Sequence, residues 1–320
     1  PDRDYGMEVI RTVSRRLGAS HDAIHVLYAS WYDTLQKIDS VARFYRTCLV
    51  DMIDEYVGST GCDVGCWFGV SCLLEKALGA GRVYGVDVLA DVIVEAASLS
   101  EELGIPDVYF RPMREGVVPL QSNTMDWAIL NQVLCNDVAG GFYGSLAEAY
   151  RICRPGGVVI VCDNNNPYCQ ATIDRLKKTT RRLEIGDGDE QYPDGRNYHG
   201  RRQMIREMAP DLPDEAVSRL ARETCYMWGG QIAQAVWKYM DTGEWPRSTY
   251  DPALLKPSVR PDDGWANGNV TDPYALCRAM ERLGMDAHIC VEPSWEKLDN
   301  ETLHAKLCTS QGFYVYGRKK

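Results

Sequence analysis

Asp63-Val64-Gly65-Cys66-Trp67-Phe68-Gly69 is a glycine-framed turn set between a short apolar run and a helical stretch. Gly65 permits a tight turn and close approach of the backbone to a ligand, and Gly69 lets the next helix start beside that ligand. Residues 61–66 read as a strand leading into the turn, and 71–79 as a helix stopped by Gly79. Outward from there, strands are predicted at 82–88, 108–113, 125–133 and 158–164, separated by helices at 91–104 and 145–157, the latter closed by Pro155-Gly156-Gly157. Residues 158–164 are apolar enough for burial on both faces. This β-α-β-α rhythm implies a mostly parallel sheet with helices on both sides.

The second informative residue is Asp87, at the end of Gly85-Val86-Asp87-Val88. A carboxylate at the tip of the second strand is placed to accept both ribose hydroxyls of an adenosine, and Asp63 can accept from an amino group of the same ligand. Two competing readings fail on spacing. The dinucleotide fingerprint G-x-G-x-x-G is absent, as is the phosphate loop G-x-x-x-x-G-K-[ST].

These segments resemble the class I S-adenosylmethionine-dependent methyltransferases. Residues 63–69 match the two ends of the family's first motif, with Trp67 where its middle glycine usually stands, and Asp87 matches its ribose-binding acid. Residues 123–134 are similar to its fourth-strand segment, and 148–161 to the helix, Pro-Gly-Gly and fifth strand that follow. The resemblance covers 58–165 and, in outline, 270–320. It implies an α/β fold: a Rossmann-like, doubly wound, mostly parallel seven-stranded sheet, with N-terminal helices and a helical insertion after strand five. It also implies S-adenosylmethionine as cofactor and S-adenosylhomocysteine as product. The cofactor-binding set becomes Asp63, Gly65, Cys66, Gly69, Asp87 and Val88, with Met113 and Arg114 at the adenine and Asn131 and Gln132 at the methionine end. An indole at Trp67 can pack on the cofactor or on the N-terminal helices, or crowd the methionine moiety.

The domain reading follows: a helical lid at 1–57, a cofactor domain at 58–166 and 270–320, and a substrate-specificity insertion at 167–269. Helices are predicted in the insertion near 169–184, 201–208, 213–225 and 229–241, with 245–264 as loop. Methyl transfer is an in-line displacement that alignment and desolvation can drive, so no obligatory catalytic residue type exists to search for. Three regions are candidates for the acceptor. Asn164 and Asn165 lie at the tip of strand five. Arg196, His199 and Arg201 form a basic, aromatic cluster, in which arginine forks suit a carboxylate or phosphate and His199 could act as base. Tyr28 and Tyr32 could cap the site from the lid. Each has a bland alternative: a polar turn, a solvated helix start, a packing stripe. Trp228, Tyr226, Trp237 and Tyr239 read as an apolar pocket, as the insertion's own core or as a homodimer surface.

The 320-residue chain has a formal net charge of -10, which disfavours nucleic acid and anionic membrane as partners and favours a small polar metabolite as acceptor. A methyltransferase for nucleic acid or protein, or a non-methylating protein on the same fold, stays as the alternative. Twelve cysteines without a CxxC suggest a reducing, cytoplasmic compartment and no metal site. No apolar run has the length of a membrane helix.

Overall fold

The computed structural model describes residues 41, 43–114, 116–136, 142–186 and 196–320. Seven strands form one sheet: β1 (Thr60–Val64), β2 (Arg82–Asp87), β3 (Val108–Pro112), β4 (Met125–Asn131), β5 (Cys153–Asp163), β8 (Met285–Cys290) and β9 (Phe313–Lys319). Their order is β3-β2-β1-β4-β5-β9-β8. Only β9 runs against its neighbours, antiparallel to both β5 and β8. The mostly parallel, doubly wound sheet expected from the strand rhythm is therefore present. The order reverses between β1 and β4, so a crevice opens at the carboxyl ends of those two strands, where open α/β sheets bind ligands.

Both faces of the sheet are covered, as the strand composition requires. Along β4, Trp127 and Ile129 enter one core while Ala128 and Leu130 enter the other. Along β5, Val158 and Ile160 alternate in the same way with Val159 and Val161. Period-two alternation with both sets buried is the signature of a central strand. Helices α1 (Val70–Ala77), α2 (Ala90–Glu102), α3 (Phe142–Ile152), α8 (Pro273–Arg282) and α9 (Asn300–Thr309) connect the strands. Asp272 caps α8, accepting from the N–H groups of Tyr274 and Ala275, with Pro273 in the first turn where its missing N–H costs nothing.

One boundary differs from the sequence reading. Pro155-Gly156-Gly157 does not extend α3, which stops at Ile152; it lies inside β5. Cys153 pairs with Met125, the register then shifts, and pairing resumes at Val158 with Trp127. A side chain at Gly157 would meet the carbonyl oxygens of Arg154 and Asp126 at 2.9 Å. The triplet thus builds a bulge rather than a helix stop.

Residues 41–56 lie on the same face as α1. They include a π-helical turn, Arg46–Val50. The Tyr316 hydroxyl donates to the Cys48 carbonyl, Trp295 Nε1 donates to that of Met52, and the Tyr56 ring stacks on Trp127. Residues 1–40, most of the expected lid, lie outside the described residues.

After β5 come α4 (Gln170–Ile185), α5 (Arg196–Met208), α6 (Asp214–Glu223) and α7 (Gly230–Thr242). In the stretch read as loop, β6 (Ser258–Val259) forms, and it pairs with β7 (Ala266–Asn267) just beyond that stretch. This insertion has its own core, which includes Ile205, Val217, Leu220, Ile232 and Val236. A buried ion pair joins its parts: Arg201 Nη1 lies 2.9 Å from Glu184 Oε2. The Glu184 carboxylate also accepts from the N–H groups of Tyr226 and Val259.

Candidate functional site

The turn after β1 is held by the neighbouring strand. The N–H groups of Gly65 and Cys66 both donate to the Val86 carbonyl, at 2.7 and 3.1 Å. Gly65 and Gly69 have φ of +80° and +72°, and Trp67 between them shares the left-handed region at +51°. Gly65 is also required by packing, because a Cβ there would fall 2.5 Å from Val133 Cγ2. The chain after β4 therefore lies directly over the turn after β1.

Asp87 faces the turn. Its Oδ2 accepts from Trp67 N–H at 3.0 Å, and its Oδ1 from Leu89 N–H at 3.0 Å. Burial pushes this carboxyl up, while the backbone N–H groups of Leu89, Trp67 and Val88 hold it down. Each carboxylate oxygen can accept twice, so both retain capacity for a ribose hydroxyl. Asp63 is enclosed behind the turn and accepts from the Ser71 hydroxyl. Burial raises its carboxyl, the Ser71 bond opposes that rise, and the Asp87 charge adds to it, leaving Asp63 at about 7. Glu75 is fully enclosed, with no hydrogen-bond donor to its carboxyl oxygens among the described residues. Burial and then the Asp63 charge drive it far above the usual carboxylate range. The ligating atoms of Asp63, Cys72 and Glu75 lie within 4.8 Å of one another. Burial holds the Cys72 thiol protonated as well, so the trio presents one readily ionised group, Asp63. An enclosed carboxyl poised near neutrality suits an incoming ammonium. Together with the turn and Asp87, it fits an adenosine-bearing amino acid.

The remaining predicted cofactor residues divide. Val88 is 47% exposed beside Asp87, and Arg114 is exposed at the end of β3. Cys66 and Met113 are core residues, and Met113 donates its N–H to the Asp87 carbonyl. Asn131 gives its side-chain amide to the Tyr45 hydroxyl at 3.1 Å. Gln132, at φ +55°, donates its N–H to the Cys162 carbonyl and turns the chain out of the sheet.

A cavity of about 540 Å³ opens at the tips of β4 and β5. Its sheet side is Gln132, Cys135, Asn136, Asn164, Asn165 and Gln311; its insertion side is Arg175, Leu176, Thr179, Thr180, Ser258 and Gly268. The predicted Asn164 and Asn165 belong to it. Asn165 is fixed there, donating to the Asn269 carbonyl and accepting from Arg175 Nη2 at 3.0 Å. Beneath it, Asp163 accepts from the Thr271 hydroxyl and from Asn165 N–H, and burial lifts its carboxyl to about 6 against those bonds.

Of the basic cluster, neither His199 nor Arg201 lines this cavity. Arg201 is completely enclosed by its pairing with Glu184 and by bonds to the Glu184 and Ala221 carbonyls, so it is a structural cation of the insertion. His199 is exposed on α5, its ring edge against Tyr198, and does not line the cavity. Arg196 opens α5, where its side chain is outside the described set; Tyr28 and Tyr32 lie outside the described residues. Tyr226 is buried, Tyr239 packs on the insertion core, Trp228 and Trp237 stay exposed, and none of the four lines the cavity. Sequence reading missed Arg175, Thr179, Thr180 and Gln311. The signal available was in α4, where Arg175 and Thr179, and Leu176 and Thr180, recur four residues apart and so share a face.

Comparison with known proteins agrees with the geometry. The sequence model of a methyltransferase domain matches residues 62–161, from within β1 into β5. The chain carries a methyltransferase domain. The methyltransferase domain's curated relatives include an uncharacterized 37.1 kDa transposon protein of Streptomyces fradiae, 32% identical over 134 residues, 41% of this chain and 37% of that one. They also include a demethylmenaquinone methyltransferase of Oceanobacillus iheyensis, 22% identical over 47% of this chain and 65% of that one. The chain thus spans between about a third and two thirds of the length of these relatives. Among solved structures, an S-adenosylmethionine dependent methyltransferase from Mesorhizobium loti is 14% identical, with a TM-score of 0.45 over 88% of this chain and 99% of that one. The cofactor of this methyltransferase family is S-adenosylmethionine. Among the described residues no helix is long and apolar enough to cross a membrane.

Proposed function

We propose that the chain transfers a methyl group from S-adenosylmethionine to an oxygen or nitrogen of a small polar metabolite. The observation that carries this reading is the cavity's position and lining. It adjoins Gln132 at the β4 tip, next to the turn that would hold the cofactor, and amides and hydroxyls supply most of its wall. In this reading Asp87 accepts the ribose hydroxyls, Asp63 accepts from the amino group, and Asn131 and Gln132 border the methionine end. The bound cofactor supplies an electrophilic methyl on a cationic sulfur. The chain supplies alignment: the amides of Asn164 and Asn165 orient the acceptor between the walls that β5 and α4 provide. Burial and the Asp163 charge keep the Cys135 thiol at the cavity wall protonated, so it is not the base. The acceptor's proton leaves to solvent after transfer.

The Oceanobacillus relative is named for a demethylmenaquinone acceptor. Here Leu176 is the one aliphatic side chain in the lining, so a polar acceptor is the better match. Isothermal titration with S-adenosylmethionine tests the cofactor half. Asp87→Asn should weaken binding by about 10- to 100-fold, as loss of charge-assisted hydrogen bonds does, and unchanged affinity counts against the assignment. A metabolite screen that follows S-adenosylhomocysteine release tests the acceptor half. Turnover only on nucleic acid or protein would replace the small-molecule reading.

A further inference from the structure

We infer that the acceptor is an anion, carrying a carboxylate or phosphate that Arg175 grips while the surrounding amides read its hydroxyls; this rests on the cavity being the acceptor site. Arg175 is the one charged residue among the twelve that line the cavity. Its cation is presented by the fold rather than left to wander. Nη2 donates to the Asn164 carbonyl at 2.9 Å and to Asn165 Oδ1 at 3.0 Å. Asn165 is itself locked by its bond to the Asn269 carbonyl, so the tether has a rigid far end.

A guanidinium has five N–H donors. Those two bonds both leave from Nη2, and no bond from Nη1 or Nε is present among the described residues. Both bidentate edges of a guanidinium include Nη2, so the free N–H groups of Nη1 and Nε meet a carboxylate or phosphate through single charge-assisted hydrogen bonds. Asp163 accepts from Thr271 and from the backbone of Asn165, and forms no ion pair with Arg175. The one cation of an amide-lined cavity, in a chain of net charge -10, thus has no carboxylate partner among the described residues. Gln132, Asn136 and Gln311 add both donors and acceptors around it, the complement of a polyhydroxylated body.

The test uses the full chain saturated with S-adenosylhomocysteine, titrated with acetate, inorganic phosphate, glucuronate and, as neutral control, glucose. The readout is the arginine Nε–H region of a nitrogen-edited NMR spectrum. The Arg175 resonance is assigned by its absence in Arg175→Gln. Acetate or phosphate should move that resonance, and their difference tells carboxylate from phosphate. Glucuronate should bind at least about tenfold more tightly than glucose, a preference erased in Arg175→Gln and partly kept in Arg175→Lys. Three results would each overturn the inference: no anion moves the Arg175 resonance, glucose binds as well as glucuronate, or Arg175→Gln retains the preference. Cofactor titration of the same variants is read separately. Loss of cofactor binding by the native chain sinks the methyltransferase reading, while an intact anion response there still reports on Arg175.

Discussion

Gly69 opens α1 in the left-handed region, and a methyl group on its Cα would sit 2.3 Å from Phe110 Cε1 and 2.9 Å from Ala96 Cβ. Two separate costs therefore meet at one atom: the backbone preference of L-residues and an overpacked contact. Gly69→Ala should lower stability by about 2–4 kcal/mol in urea denaturation. Gly104→Ala is the control. Its φ is also positive, at +63°, but nothing lies within 4 Å of the added carbon, so only a backbone cost of about 1–2 kcal/mol remains. Equal losses in the two variants would show that the Phe110 contact relaxes freely. Trp67 bears the same backbone cost in the wild-type chain. Its return is orientation, because the left-handed turn aims its N–H at Asp87. Glycine could aim the same N–H without that cost, so this hydrogen bond does not explain the indole.

At the scale of elements, the insertion depends on one enclosed carboxylate. Glu184, at the end of α4, binds Arg201 of α5, the Tyr226 backbone after α6 and the backbone of β6. Glu184→Gln leaves the Arg201 charge buried and should cost about 3–5 kcal/mol, whereas Glu184→Met combined with Arg201→Met should recover much of that loss. Hydrogen exchange should place the damage in residues 170–260 and leave the β4 and β5 amides protected; uniform loss across both regions would mean that insertion and sheet unfold together. The same elements show what sequence could reveal. The four insertion helices were legible because each has an apolar stripe at helical spacing, and the strands because they alternate. Helix α9 was not, since Leu303 and Leu307 are its only buried side chains. The Arg201 cluster misled for a related reason. A basic run looks like surface in one dimension, and only Glu184, seventeen residues earlier, makes it core.

For the whole molecule, the enclosed acids set a pH dependence. Asp63 at about 7 and Asp163 at about 6 bind protons more tightly in the folded chain than in the unfolded one, where carboxyls ionise near 4. Between those values the folded state carries the extra protons, so stability falls as pH rises from about 4 to 7, by on the order of a few kcal/mol in all. Thermal denaturation should therefore give a lower midpoint at pH 8 than at pH 5, and Asp63→Asn should shrink the difference; a midpoint that rises with pH contradicts this. S-adenosylmethionine, placing a cation beside ionised Asp63, should stabilise more at pH 8 than at pH 5. The proposed cofactor half of the site was legible because its residues follow one another along β1, β2 and β4. The proposed acceptor half was not, because its walls meet across more than a hundred residues, from Gln132 to Ser258 and Gln311. That division has an evolutionary corollary. Six wall positions travel with the helices after β5 and six stay with the sheet. A relative that received residues 167–269 of this chain would gain the guanidinium but meet it with a foreign set of amides. Changes in acceptor preference should then require paired substitutions on both sides of the cleft, and domain shuffling alone would yield mismatched halves.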